Sequence, residues 1–149
     1  MKLWDRFTNR PLSYPAALPD RMRIYAIGDI HGMADLLNRM HAVIADHAGK
    51  ADPADNYIVY LGDYMDRGLQ VKEVLDILAA GPPTGFAPIY LKGNHEEMVL
   101  NFIAGAEIFE DWLAVGGRST LMSYGVTLPG VDSGRRHAKQ VRKDFVDAL

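Results

Sequence analysis

Three times before Leu100 an apolar run breaks at a glycine followed at once by a side chain able to bind a hard metal. Ile24-Tyr25-Ala26-Ile27 leads into Gly28-Asp29-Ile30-His31-Gly32. Tyr57-Ile58-Val59-Tyr60-Leu61 leads into Gly62-Asp63-Tyr64-Met65-Asp66-Arg67-Gly68. Pro88-Ile89-Tyr90-Leu91 leads, past Lys92, into Gly93-Asn94-His95-Glu96. Helical spacing fills the gaps. Leu36, Leu37, Met40, Val43 and Ile44 recur between Met33 and His47, and Val71, Val74, Leu75 and Leu78 precede the stop Gly81-Pro82-Pro83. After the third run, Met98, Val99, Phe102 and Ile103 mark the inward side of a helix from Glu96 to Ala104. Strand–helix alternation of this kind predicts an α/β chain: a parallel β-α-β-α-β core joined by right-handed crossovers. The unbroken second run predicts a strand covered on both faces. Open parallel sheets bind ligands at the carboxyl ends of their strands, so the three motifs are expected on one rim.

The residue types on that rim define a chemistry. Asp29, His31 and Asp63 offer two carboxylates and an imidazole, a mixed oxygen and nitrogen set that suits manganese, iron or zinc better than calcium. Asp63 leaves the middle strand and is placed to bridge to a second ion shared with Asn94. Two such ions clamp a phosphoryl group for in-line displacement and lower the pKa of a bridging water. Arg67 supplies a planar, permanently charged fork that matches phosphate, with pairing to Asp66 as its competing role. His95 is placed to protonate a leaving oxygen, and Asp66 to orient that histidine. The candidates are therefore Asp29, His31, Asp63 and Asn94 for metal, His95, Asp66 and Arg67 for catalysis, and Arg67, Asn94 and His95 for substrate. Glu96 and Glu97 read as complements of a helix dipole. His41 and His47 lie on the first helix, away from the rim, in surface or partly packed roles. Tyr64 and Met65 read as packing residues. A Rossmann reading fails, because Gly28-Asp29-Ile30-His31-Gly32 lacks the Gly-x-Gly-x-x-Gly turn.

Composition narrows the partners. The 149 residues carry a formal net charge of −3, which gives no reason to expect nucleic acid. Cysteine is absent, so neither disulfides nor thiolate metal sites arise. No apolar run spans a bilayer, and Met1 to Arg6 lack the apolar core of a signal peptide, which makes the cytoplasm the default location. Pro11, Pro15 and Pro19 mark residues 1–21 as an irregular leader, with residues 22–149 as one domain. Beyond Glu107 the chain reads as mostly helical. Its last segment turns Ala138, Val141, Phe145 and Leu149 one way and keeps Arg135, Arg136, Lys139, Arg142 and Lys143 solvated.

The three glycine-led motifs together resemble the N-terminal signatures of the phosphoprotein phosphatase branch of calcineurin-like metallophosphoesterases. Met65 stands where valine is usual. Glu96 resembles the protein phosphatases, since diadenosine tetraphosphatases typically carry aspartate there. Trp112, Gly116-Gly117, Thr120-Leu121 and Ser123-Tyr124-Gly125 resemble the helical insert of bacterial serine/threonine phosphatases, although Val115 replaces a usual Gln or Asn. The resemblance implies the N-terminal half of a four-layer sandwich of two sheets with outer helices. It implies Asp29, His31 and Asp63 on a first divalent metal, Asp63 and Asn94 on a second, and attack by a metal-bridging hydroxide. Arg67 would bind phosphate, and His95 would be an acid held by Asp66.

The family completes its second metal site with two later histidines in His-Ala-Gly-like and Gly-His-Thr-like contexts, and neither context follows Asn94 here. His137, in a polar helix, does not replace them. The expectation is a truncated domain with an incomplete second site and one uncovered sheet face open to self-association. The expected substrate is a phosphorylated protein or peptide, or a small phosphoester. The alternatives are hydrolysis of dinucleoside polyphosphates and an inactive metal- or partner-binding remnant.

Overall fold

A computed structural model describes residues 17–128 and 134–149. Most of the expected leader, residues 1–16, lies outside them. Strand β1 (Met22–Ile27), helix α1 (Ala34–Lys50), strand β2 (Asp55–Tyr60), helix α2 (Val71–Ala80) and strand β3 (Phe86–Tyr90) follow in order. The strands form one parallel sheet ordered β1-β2-β3, with Ile27 opposite Tyr60 and Tyr60 opposite Tyr90. Helix α3 (Asn94–Ala104), the short α4 (Phe109–Trp112), a wide turn over Leu113–Gly117, α5 (Arg118–Ser123) and α6 (Gly134–Ala148) complete the chain. Among the described residues no helix is long and apolar enough to cross a membrane.

Two right-handed crossovers in the same direction put both helices on one face of the sheet. Ile27, Ile58 and Tyr60 are buried on that face, where Tyr90 donates its hydroxyl to the Leu78 carbonyl of α2. The opposite face carries Ile24, Ala26, Tyr57, Val59, Ala87 and Ile89 in register. There Tyr57 and Val59 are only half-buried, and Ile24, Ala26, Ala87 and Ile89 are exposed. The continuous apolar run of β2 thus corrects to a strand fully covered on one face alone.

Helix α1 also departs from expectation. Ala34, Leu37, His41 and Ile44 face the sheet, whereas Leu36, Met40 and Val43 are 52%, 47% and 64% exposed. His41 belongs to the packed face because the buried Tyr60 hydroxyl lies 2.8 Å from its Nε2 and satisfies it. His47, on the same helix, stays exposed with its Nδ1 2.8 Å from the Tyr25 hydroxyl. Helix α3 begins two residues earlier than its apolar spacing implied, at Asn94, which puts the third motif on its first turn.

The same core extends into the later helices. Phe102 stacks on Phe109 and packs against Trp112, and Phe145 of α6 closes over Trp112. Val141 and Phe145 are buried as expected, but Leu149 is exposed. Arg142 is half-buried, with its guanidinium 5.1 Å from the Phe102 ring centre. The side chains of Arg135 and Arg136 fall outside the described residues.

Candidate metal and phosphate site

The loops after β1 and β2 hold backbone shapes that ordinary residues avoid. Among the described residues, His31, Asp63, Asp66 and Arg67 have φ of 43°, 55°, 67° and 66°. Left-handed backbone at non-glycine residues costs about 1–3 kcal/mol each and collects at functional sites. Close packing of one loop on another enforces these shapes. A Cβ on Gly68 would sit 2.1 Å from the His31 carbonyl oxygen, and one on Gly93 would sit 2.1 Å from Asp63 Oδ1. The motif glycines therefore serve contact between loops, not only approach to an ion.

Glu96 binds the loop after β2 to the loop after β3. Its carboxylate accepts the backbone N–H groups of Asp63, Tyr64, Met65 and Gly93 at 2.7, 2.8, 3.3 and 2.9 Å. This exceeds the helix-dipole role that its place on the first turn predicts. Glu97 is an ordinary surface partner of Lys92 at 3.2 Å. Tyr64 adds a second tie by donating its hydroxyl to the Leu91 carbonyl at 2.5 Å. Burial and the Glu96 carboxylate push its pKa up to about 12, so it remains a donor at any working pH.

The two imidazoles on the rim are held alike. His31 Nδ1 lies 2.7 Å from the Met65 carbonyl oxygen, and His95 Nδ1 lies 2.7 Å from Asp66 Oδ2. Both partners can only accept, so Nδ1 carries the proton in each ring and the Nε2 lone pair faces the rim. Arg67 donates to both lone pairs, with Nη1 2.9 Å from His31 and Nη2 3.1 Å from His95. Its competing role is not observed: Asp66 is wholly buried and points away to His95, whereas Arg67 is exposed.

Donor atoms of His31, Asp63 and His95 lie within 4.8 Å of one another, and Asp29 Oδ2 is 3.7 Å from His31 Nε2. Asp63 Oδ1 also accepts the His95 backbone N–H at 3.2 Å, which fixes the carboxylate toward the third motif. Asn94 is exposed at the first position of α3. A carboxylate with imidazole Nε2 lone pairs, each set by a partner on Nδ1, is a donor set that fits a divalent transition metal.

The family model for calcineurin-like phosphoesterases matches residues 22–147. The chain belongs to that family. Membership brings metal-dependent phosphoester hydrolysis with it, and this phosphoesterase domain carries the three parallel strands and strand-end loops on which such a site is built.

The phosphoesterase domain also holds groups that residue-type reasoning passed over. Asp66, a buried carboxylate, receives the Thr120 hydroxyl at 2.5 Å and the Trp112 indole N–H at 3.0 and 3.1 Å. The Arg67 N–H donates to the Gly116 carbonyl at 3.2 Å. Trp112, Gly116 and Thr120 stood out only as a likeness to an insert. The available signal was a lone buried-type acid, which demands partners from somewhere in the chain. His137 lies elsewhere, against the Phe109 ring.

Proposed function

We propose that this chain hydrolyses phosphomonoesters, with phosphoserine and phosphothreonine peptides as its substrate class. The observation that carries this reading is the Arg67 fork spanning two imidazoles at an exposed rim. A fixed cation binds a dianionic phosphoryl group, and an imidazole beside it can protonate an ester oxygen. Asp29, His31 and Asp63 would hold one divalent metal, and Asp63 and Asn94 a second, with manganese the first choice. A bound metal there supplies a Lewis acid and lowers the pKa of a water.

The remaining roles belong to the chain's own groups. Arg67 orients the phosphoryl oxygens. Once doubly protonated, His95 passes its Nε2 proton to the leaving oxygen, while its Nδ1–H stays hydrogen-bonded to Asp66. The length of Glu96 supports the protein phosphatase branch. One more methylene than aspartate lets its two oxygens reach four amides on two loops.

The test is manganese-dependent hydrolysis of p-nitrophenyl phosphate, followed by phosphothreonine peptide against diadenosine tetraphosphate. Turnover is expected on the aryl phosphate and the peptide, falling to background in Asp63→Asn. Preference for the dinucleotide would move the activity to phosphoanhydrides. Manganese binding without turnover of any of them would leave a domain that binds metal and does no chemistry.

A further inference from the structure

We infer that Trp112 and Thr120, on the helical insert, are positioning residues that set the proton-delivering histidine through Asp66. The inference rests on the acid role proposed for His95. Asp66 has no exposed surface, and a buried carboxylate is costly unless its oxygens are filled. Oδ1 takes the Thr120 hydroxyl at 2.5 Å and the Trp112 N–H at 3.1 Å. Oδ2 takes the same N–H at 3.0 Å and His95 Nδ1–H at 2.7 Å. Thr120 closes a ring by accepting the Asp66 backbone N–H at 3.0 Å. Its hydroxyl therefore fixes both the carboxylate and the left-handed backbone that carries it.

The donors come from two separate helical pieces, α4 and α5, and the wide turn between them grips Arg67 through the Gly116 carbonyl. A Cβ on Gly117 would lie 2.6 Å from the Trp112 ring, so the indole is held at a set distance by backbone. The insert is thus the far wall of the site. Without its two donors the Asp66 carboxylate would be free to rotate, and the His95 Nδ1–H would lose its single partner direction.

Two readouts test this on the full chain. In nitrogen-15 correlation spectra of the imidazoles, wild-type His95 should show one tautomer with the proton on Nδ1. Thr120→Val, which keeps shape and loses the hydroxyl, should give a mixture, Thr120→Ser should restore the single form, and Trp112→Phe should act as Thr120→Val does. In turnover, Thr120→Val should slow phenyl phosphate, whose leaving group needs a proton, by about tenfold to a hundredfold. The same variant should change p-nitrophenyl phosphate, which leaves without one, by less than about threefold. Equal losses on both substrates, or an unmoved His95 tautomer in folded Thr120→Val and Trp112→Phe, would overturn the inference. If the wild type turns over neither ester, the phosphatase reading falls and the tautomer alone decides this one.

Discussion

Glu96 gathers four backbone donors from two loops, and no neutral side chain of its size can do so. Glutamine keeps one acceptor oxygen and would aim an amide NH2 at two of those N–H groups. Glu96→Gln should therefore lower stability by about 1–3 kcal/mol, the cost of leaving such donors unpaired. Asp63 shares this loop, so manganese affinity should weaken by roughly tenfold or more, as is usual when a partner behind a ligand is lost. Urea unfolding and titration calorimetry read the two effects separately. Lower stability with unchanged affinity would show that Glu96 supports the fold and not the ligand. This role was out of reach of sequence reasoning. A glutamate on the first turn of a helix fits the dipole rule whether or not a distant loop bends back onto it. The convergence of His31, Asp63 and His95 is legible in the sequence, because each follows a strand end and strand ends converge in a parallel sheet.

At the scale of elements, the pairing of α1 with β2 contains a titrating contact. His41 sits on the buried face of α1, and burial lowers its pKa below the ordinary value of 6.5. Its partner Tyr60 is pushed up to about 12, chiefly by burial, and so remains a hydroxyl donor to neutral His41. The folded state holds His41 neutral while the unfolded chain takes up a proton near 6.5. The unfolded state then binds more protons below that value, so His41 costs stability as pH falls through it. Urea midpoints should drop between about pH 7.5 and 5.5, and His41→Gln, which keeps an acceptor and cannot titrate, should reduce the drop. An identical pH dependence in the variant would remove His41 as its source. The same helix shows where element reading failed. Apolar spacing groups Leu36, Leu37, Met40, Val43 and Ile44 together, and of these only Leu37 and Ile44 are buried. On the packed face the buried Tyr60 hydroxyl meets His41, an imidazole that can accept it where a leucine could not.

Over the whole molecule the asymmetry of the sheet is the dominant fact. Both crossover helices lie on one face, so the other is covered only by what else the chain can bring to it. Among the described residues that face keeps Ile24 at 39% and Ile89 at 42% exposure, on either side of the half-buried Tyr57 and Val59 of β2. Domains seldom leave a contiguous apolar surface of this kind open, and among the described residues the outer edges of β1 and β3 also have no partner strand. We propose that in a purified sample of this chain the same face of a second copy covers it. Sedimentation velocity should show average mass rising with protein concentration. The substitution pair Ile24→Thr and Ile89→Thr keeps β-branched side chains and removes apolar surface, and should shift the population toward monomer. The rim residues lie beyond the strand ends, so the pair should leave manganese binding unchanged. A wild type that stays monomeric at every concentration, and takes up no hydrophobic dye, would mean that this face is closed in solution.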